Sequence, residues 1–269
     1  MIERILAITT NTFREAVRQK VLYALVLFSG FIILLSLFLG QLTLGADVKI
    51  IKDMGLASMM FIGVMISVFI GVGLIFKEVQ RKTIYTLLSK PVQRFEFILG
   101  KFFGLSATIA LELLCMAVLL FTVLSFYKEP LDINLIKPII LIFCELSIIV
   151  AIALLFSSYS SSFMSIIFTL GVLFFGHATD DFVMIVRNQI YALATENGQT
   201  TLSPWINFSV NLLDVLESFS LDIFAINAKI VHGVMIPWSY IVHAVFYAIC
   251  IIAIIQSLTI WVFNKKDLQ

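Results

Sequence analysis

The stretch Lys77 to Lys101, KEVQRKTIYTLLSKPVQRFEFILGK, is the part of the chain whose residue types and spacing say most, with six cations against two anions. Within it, Thr83 to Ser89 reads as a two-turn helix, because Ile84, Leu87 and Leu88 recur at a spacing of three and four and Pro91 forbids further regular helix. A short helix that shows an Ile, a Tyr and two Leu to water is poorly solvated unless a surface covers it. A groove that takes apolar anchors at helical spacing is the natural cover. Thr83, Ile84, Tyr85, Leu87, Leu88, Ser89 and Pro91 are therefore candidate docking residues. The charge of the stretch alone supports only an anchor at one membrane face.

A second set consists of carboxyls inside apolar runs. Glu112 lies roughly 16 Å above Lys101 and Glu145 roughly 10 Å in from Pro138 at a 1.5 Å rise. Both are then expected in the outer half of a bilayer, where a carboxyl costs about 2.5 to 3.5 kcal/mol and should face a bundle interior, protonated or hydrogen-bonded. They line a translocation path or cation site, or they are structural carboxyls bonded to neighbouring Ser, Thr or backbone groups. His243 and Gln256 are the other polar residues of the apolar runs, and a lone His near a helix end reads as a satisfied interfacial group rather than a ligand. His177 with Asp180 and Asp181 does not make a coordination sphere, so no metal is expected.

Several chemistries are excluded. A phosphate-cradling loop requires Gly-x-x-x-x-Gly-Lys-Ser/Thr, whereas Gly100-Lys101 is followed by Phe102 and Phe95 stands at the first-glycine position. No His-Glu-x-x-His, Gly-x-Ser-x-Gly or Ser/His/Asp order is present to run a hydrolase. The chain is not expected to be an enzyme or to hold a cofactor of its own.

The elements that position these residues follow from composition. Of 269 residues, 61% are hydrophobic and 13% charged, about half the charged share of soluble domains. Mean hydropathy is +1.06. So few charges cannot cover a water-soluble fold of this size, so lipid must solvate much of a single domain spanning 1-269. Cations and anions nearly cancel, which gives no basic excess for nucleic acid. Cys115, Cys144 and Cys250 sit in apolar runs without metal-ligand spacing.

A membrane-crossing helix needs roughly 20 apolar residues. Val21 to Leu39, Leu56 to Phe76, Phe102 to Phe126, Pro138 to Phe156 and Trp238 to Phe263 qualify. The run Phe163 to Phe175 is short unless it borrows the serines at 157–162. Accepting it gives six spans with both termini on one side. That side then holds twelve of the 18 Lys and Arg and is cytoplasmic by the positive-inside rule. Gly63, Gly71, Gly73 and Gly171 are expected to permit close helix approach.

Residues 2 to 20 place Ile2, Ile5, Leu6, Thr9, Phe13, Ala16 and Val17 on one helical face with Arg4, Asn11, Arg14 and Arg18 mostly opposite. This suits a helix in the cytoplasmic interface, or an extension of the first span. The start does not fit a cleaved signal peptide. The segment His177 to Pro237 is expected outside, with short amphipathic helices at Phe182 to Ala194 and Ile206 to Phe219.

In this arrangement the sequence resembles the permease subunits of ABC-2 type ATP-binding-cassette transporters. The likeness rests on an ordered set: Glu78, then Arg81, Lys82 and Thr83, then Leu87, Leu88 and Pro91, then Arg94, then Gly100 and Lys101 opening the third span. An interfacial N-terminal helix and a large external segment before the last span extend the likeness to nearly the full length. The resemblance implies an all-α, type V exporter-like polytopic membrane protein of the inner membrane. Dimerisation with itself or a related permease is part of that implication, with spans two and five at the central seam. Each permease would dock an ABC ATPase subunit on Thr83 to Ser89, with Glu78, Arg81 and Arg94 bracing the loop. ATP and Mg would be bound by that partner alone. The function so implied is ATP-driven transport, leaning to export of unidentified cargo. An ion-gradient-driven carrier using Glu112 and Glu145, and a noncatalytic membrane scaffold, are the alternatives.

Overall fold

A computed structural model describes residues 1–41, 47–80, 93–127, 133–196 and 236–265, with the side chains of 41, 75, 77–80, 180, 181, 190–196 and 264 outside that description. Among the described residues all regular structure is helical: α1 Ile2–Val17, α2 Lys20–Gln41, α3 Asp47–Gln80, α4 Arg94–Phe126, a 3₁₀ turn Ile133–Leu135 leading into α5 Ile136–Tyr159, α6 Ser162–Glu196 and α7 Trp238–Lys265. Six helices, α2 to α7, are long and apolar enough to cross a membrane. The protein is an all-α polytopic membrane fold, as its composition requires.

The chain forms two compact units, Met1–Thr169 with Phe224–Gln269, and Leu170–Ile223. In the first, α3 and α5 are the centre: 72% of the most apolar window of each is buried, against 22% for α2 and for α7. α4 packs on α1, α2, α3, α5 and α7. Close approach of α3 is made by small residues. The side chain of Leu120 on α4 occupies the space over Gly55, and that of Leu146 on α5 the space over Gly63. Gly71 makes ordinary contact with Ala153 and Leu105, whereas nothing lies within 4 Å of a Cβ at Gly73 or Gly171. Among the described residues, close contact within the chain is made at Gly55 and Gly63 rather than at Gly73 or Gly171.

Helix limits follow local chemistry. Pro138 sits in the first turn of α5, where its missing N–H is no loss. α5 ends at Ser160, whose backbone is extended (φ −110°, ψ 170°). The fifth span therefore takes nothing from the serines up to Tyr159. It lengthens at its other end instead, because no Pro interrupts the chain between Phe175 and Glu196 and one 35-residue helix, α6, absorbs the short helix expected at Phe182 to Ala194. The expected helix at Ile206 to Phe219 lies outside the described residues.

In the second unit, the described part of α6 has Val183 buried, with Phe174, Phe175, Phe182 and Met184 exposed. His177 Nδ1 lies 3.3 Å from the Leu173 carbonyl one turn back. Among the described residues no three His, Cys, Asp or Glu are grouped to hold a metal ion.

Candidate functional site

α4 begins directly after residues 81–92, which are outside the described residues together with the candidate docking residues Thr83, Ile84, Tyr85, Leu87, Leu88, Ser89 and Pro91 and the brace Arg81. Glu78 falls in the last turn of α3, its side chain likewise undescribed. The third brace, Arg94, is the first residue of α4 and is well placed in a bonded cluster.

The start of α4 carries a capping box. Gln93 is the N-cap, its side chain meets the Glu96 backbone, and the Gln93 N–H donates to Glu96 Oε2 at 3.0 Å. Glu96 is 2% exposed, and the half-exposed Arg4 guanidinium of α1 approaches it to 3.9 Å. At that distance and exposure the pair contributes little by itself, under about 1 kcal/mol. Its value is positional, since it fixes which turn of α1 meets which turn of α4.

Arg94 reaches the other way. Its guanidinium donates to the Phe263 carbonyl of α7 at 2.8 Å and lies 5.9 Å from the Phe263 ring centroid. Phe263 stacks on Phe97 at 6.1 Å and 18°, and the Lys101 ammonium lies 5.7 Å from the Phe97 ring. The final carbonyls of a helix lack intrahelical donors and carry its negative end, so a guanidinium there satisfies both a hydrogen-bond acceptor and a dipole.

Along the next turns α1 and α4 run side by side at constant register. Ile8 fills the notch over Gly100, Thr12 fills that over Gly104, and the Thr9 hydroxyl donates to the Gly100 carbonyl at 3.3 Å. The face of α1 that packs is therefore centred on Ile5, Ile8, Thr9, Thr12 and Ala16. Ile2 and Leu6, on the apolar face suited to a membrane interface, are exposed. The glycine pair decides the rotation, because only the Ile8/Thr12 ridge fits two notches four residues apart. Gly100-Lys101-Phe102-Phe103-Gly104 is a small-xxx-small signal, and Gln93-x-x-Glu96 has capping-box spacing. Both were available in the sequence and would have added Gly104 and Glu96 to the candidates.

Glu112 and Glu145 are each 2% exposed. Gly55 packs on Leu120 and Gly71 on Leu105, so the register sets Glu112 level with Gly63, whose own contact is Leu146, the neighbour of Glu145. The two carboxyls thus share one layer of the bundle. Neither oxygen of Glu112 has a hydrogen-bond partner among the described groups. An apolar cleft of about 350 Å³ between α4 and α5, lined by Leu113, Ala117, Phe121, Ile139 and Phe143 among others, includes neither carboxyl. Glu112→Met, similar in size and needing no partner, is expected to stabilise the bundle by about 1 to 3 kcal/mol, seen as a higher melting temperature in detergent. A lower melting temperature would mean that the carboxyl is bonded after all.

His243 Nδ1 lies 2.6 Å from the Ser239 carbonyl. Gln256, 4% exposed, has an amide without partners among the described groups.

Comparison with known proteins decides the family. A profile described as ABC-2 family transporter protein (ABC2_membrane_2) matches residues 6–268. The chain belongs to the ABC-2 transporter family. Nearly its whole length is thus one ABC-2 transmembrane permease domain, the family that the ordered motif from Glu78 to Lys101 resembles. No curated protein matches the chain. For an ABC-2 permease, the cluster at the start of α4 lies where the segment after span two re-enters the bundle.

Proposed function

We propose that this ABC-2 permease is the membrane subunit of an ATP-driven exporter, worked by a separate ABC ATPase that docks on Thr83 to Ser89. Hydrolysis of ATP, with its Mg²⁺, belongs to that partner. The observation that supports this best is the junction at Arg94 and Glu96. The segment 81–92 leads into a helix whose first turn is capped, bonded to α7 and keyed to α1, so a push on the segment meets a rigid lever. Glu78, Arg81 and Arg94 brace the segment in this reading.

Both termini belong at the cytoplasmic face of the inner membrane. The contacts Arg4–Glu96 and Arg94–Phe263 bring the two chain ends to one end of the bundle. In the six-span arrangement that end carries most of the cations. The permease works as a homodimer or beside a related permease. The family likeness assigns the seam to spans two and five.

The Glu112 carboxyl, without a hydrogen-bond partner among the described groups, favours one further reading, carriage driven by an ion gradient through Glu112 and Glu145. Reconstitution with the co-purified ATPase separates the two. The exporter reading expects transport that needs ATP, survives collapse of ion gradients and survives Glu112→Gln. Transport that persists without ATP, collapses with the gradient and disappears in Glu112→Gln would replace it with the carrier.

A further inference from the structure

We infer that Arg94 is a positioning residue that makes α1, the start of α4 and the end of α7 one moving body under load from segment 81–92. The inference rests on the proposed docking of an ATPase on that segment, and it names the route by which force leaves it.

The physical argument starts from how a helix yields when pulled at its first residue. The first turn has no intrahelical acceptor for its N–H groups and frays unless something else holds them. Here the Gln93 N–H donates to Glu96 Oε2 and the Gln93 carbonyl accepts from the Glu96 and Phe97 N–H groups, so the first turn is tied together and displacement at Gln93 favours translation of α4 over unwinding. α7 packs mainly on α5 and only lightly on α4, so helix packing alone ties the end of α7 weakly to the start of α4. The Arg94 guanidinium strengthens that tie, through the bond to the Phe263 carbonyl at 2.8 Å and the ring column Phe263, Phe97, Lys101. Phe263 and Phe97 are 4% and 7% exposed, so this column sits inside the protein rather than on its surface. On the opposite side, Arg4 with Glu96, Thr9 with Gly100, and the Ile8 and Thr12 notches key α1 over two turns. Arg suits the position better than Lys because a planar fork can hydrogen-bond the carbonyl while lying over the ring. The N-terminal helix and the end of the last helix thereby become output elements of the loop, while the rest of α7 stays packed on α5.

The test uses the full chain, its three cysteines replaced by Ala, with spin labels on Leu6→Cys and Trp261→Cys, positions 57% and 56% exposed. Distances are measured by double electron–electron resonance in nanodiscs, with and without the ATPase that co-purifies. A single narrow distance is expected, keeping its width when ATP is added. Arg94→Ala is expected to broaden it into several populations, Arg94→Lys to restore it in part, and cargo-stimulated ATP hydrolysis to fall about ten-fold in the Ala variant. Phe263→Leu, which keeps the carbonyl and removes the ring, serves if Arg94→Ala does not purify as a monodisperse protein, with a smaller broadening expected. An unchanged distribution in these variants overturns the junction while leaving ATPase docking intact. A chain that recruits no ATPase at all, yet broadens in Arg94→Ala, overturns the docking reading and the load path and leaves only a structural clamp.

Discussion

Leu88→Asp, and Leu87→Asp beside it, is expected to abolish recruitment of the ATPase while the bundle inserts and purifies normally. Removing a buried Leu from a groove forfeits about 1.5 to 3 kcal/mol. Burying an unpaired carboxylate there adds a further penalty of several kcal/mol, so affinity falls by roughly two to three orders of magnitude or more. Insertion is spared because α3 and α4, which flank the segment, are held to the bundle elsewhere, at Gly55 against Leu120 and at Gly63 against Leu146. Co-purification in mild detergent reads the result. If both variants retain the ATPase at the wild-type ratio, Thr83 to Ser89 is not the handle.

Gly104→Val is expected to unseat α1. A Cβ at Gly104 would lie 2.6 Å from Thr12 Cβ and 2.9 Å from the Thr9 carbonyl oxygen. Both obstacles are at or next to the backbone, so neither can swing away. Overpacking of this kind costs about 1 to 3 kcal/mol, and a branched side chain in a notch shaped for none lies at the upper end. α1 presents Thr12 and Ala16 to α4, both fully buried. A cysteine placed at Ala16 should then resist alkylation in the parent chain and react in Gly104→Val. Gly73→Ala, with nothing within 4 Å of the new methyl, is the control and should leave protection unchanged. Equal protection in all three chains would show that α1 is held by something other than the glycine notches.

The sequence discloses most where lipid dictates the pattern. Five spans are found within a few residues at most of their boundaries, because the backbone must be helical wherever hydrocarbon surrounds it. The limits drift where helices leave the apolar zone. α3 begins at Asp47 and α4 at Arg94, each extended by a polar or amphipathic turn that hydropathy does not register. α6 was hard for the opposite reason: its serine-rich approach looked like span and its polar continuation looked like a separate helix, whereas the break falls at Ser160 and Ser161 and the helix runs on to Glu196.

The candidate site was half legible. Arg94 was found as a cation of the loop, but its actual acceptor, the Phe263 carbonyl, is 169 residues away and carries no side-chain signature. Glu96 entered the reading only as a negative charge in a basic stretch, and its burial against Arg4 and Gln93 depends on where α1 docks. The apolar pattern of α1 gave its amphipathic face but not which of its residues meet α4, namely Ile8 and Thr12. Amphipathic periodicity ranks faces by hydrophobicity, while the glycine pair of α4 ranks them by fit, and fit prevails at a close helix contact. Glu112 and Glu145 were recognised as buried, and their common layer could only come from the register of α3 against α4 and α5.

The central claim is that a separate ATPase grips the two-turn segment between α3 and α4. A photoreactive amino acid at Leu88, illuminated in native membranes before solubilisation, tests it most directly. Mass spectrometry of the adduct should show Leu88 joined to an ABC ATPase subunit, with the yield lost when Tyr85 and Leu87 are both changed to Asp. Adducts confined to this chain's own residues, obtained with equal yield in that double variant, would contradict the claim.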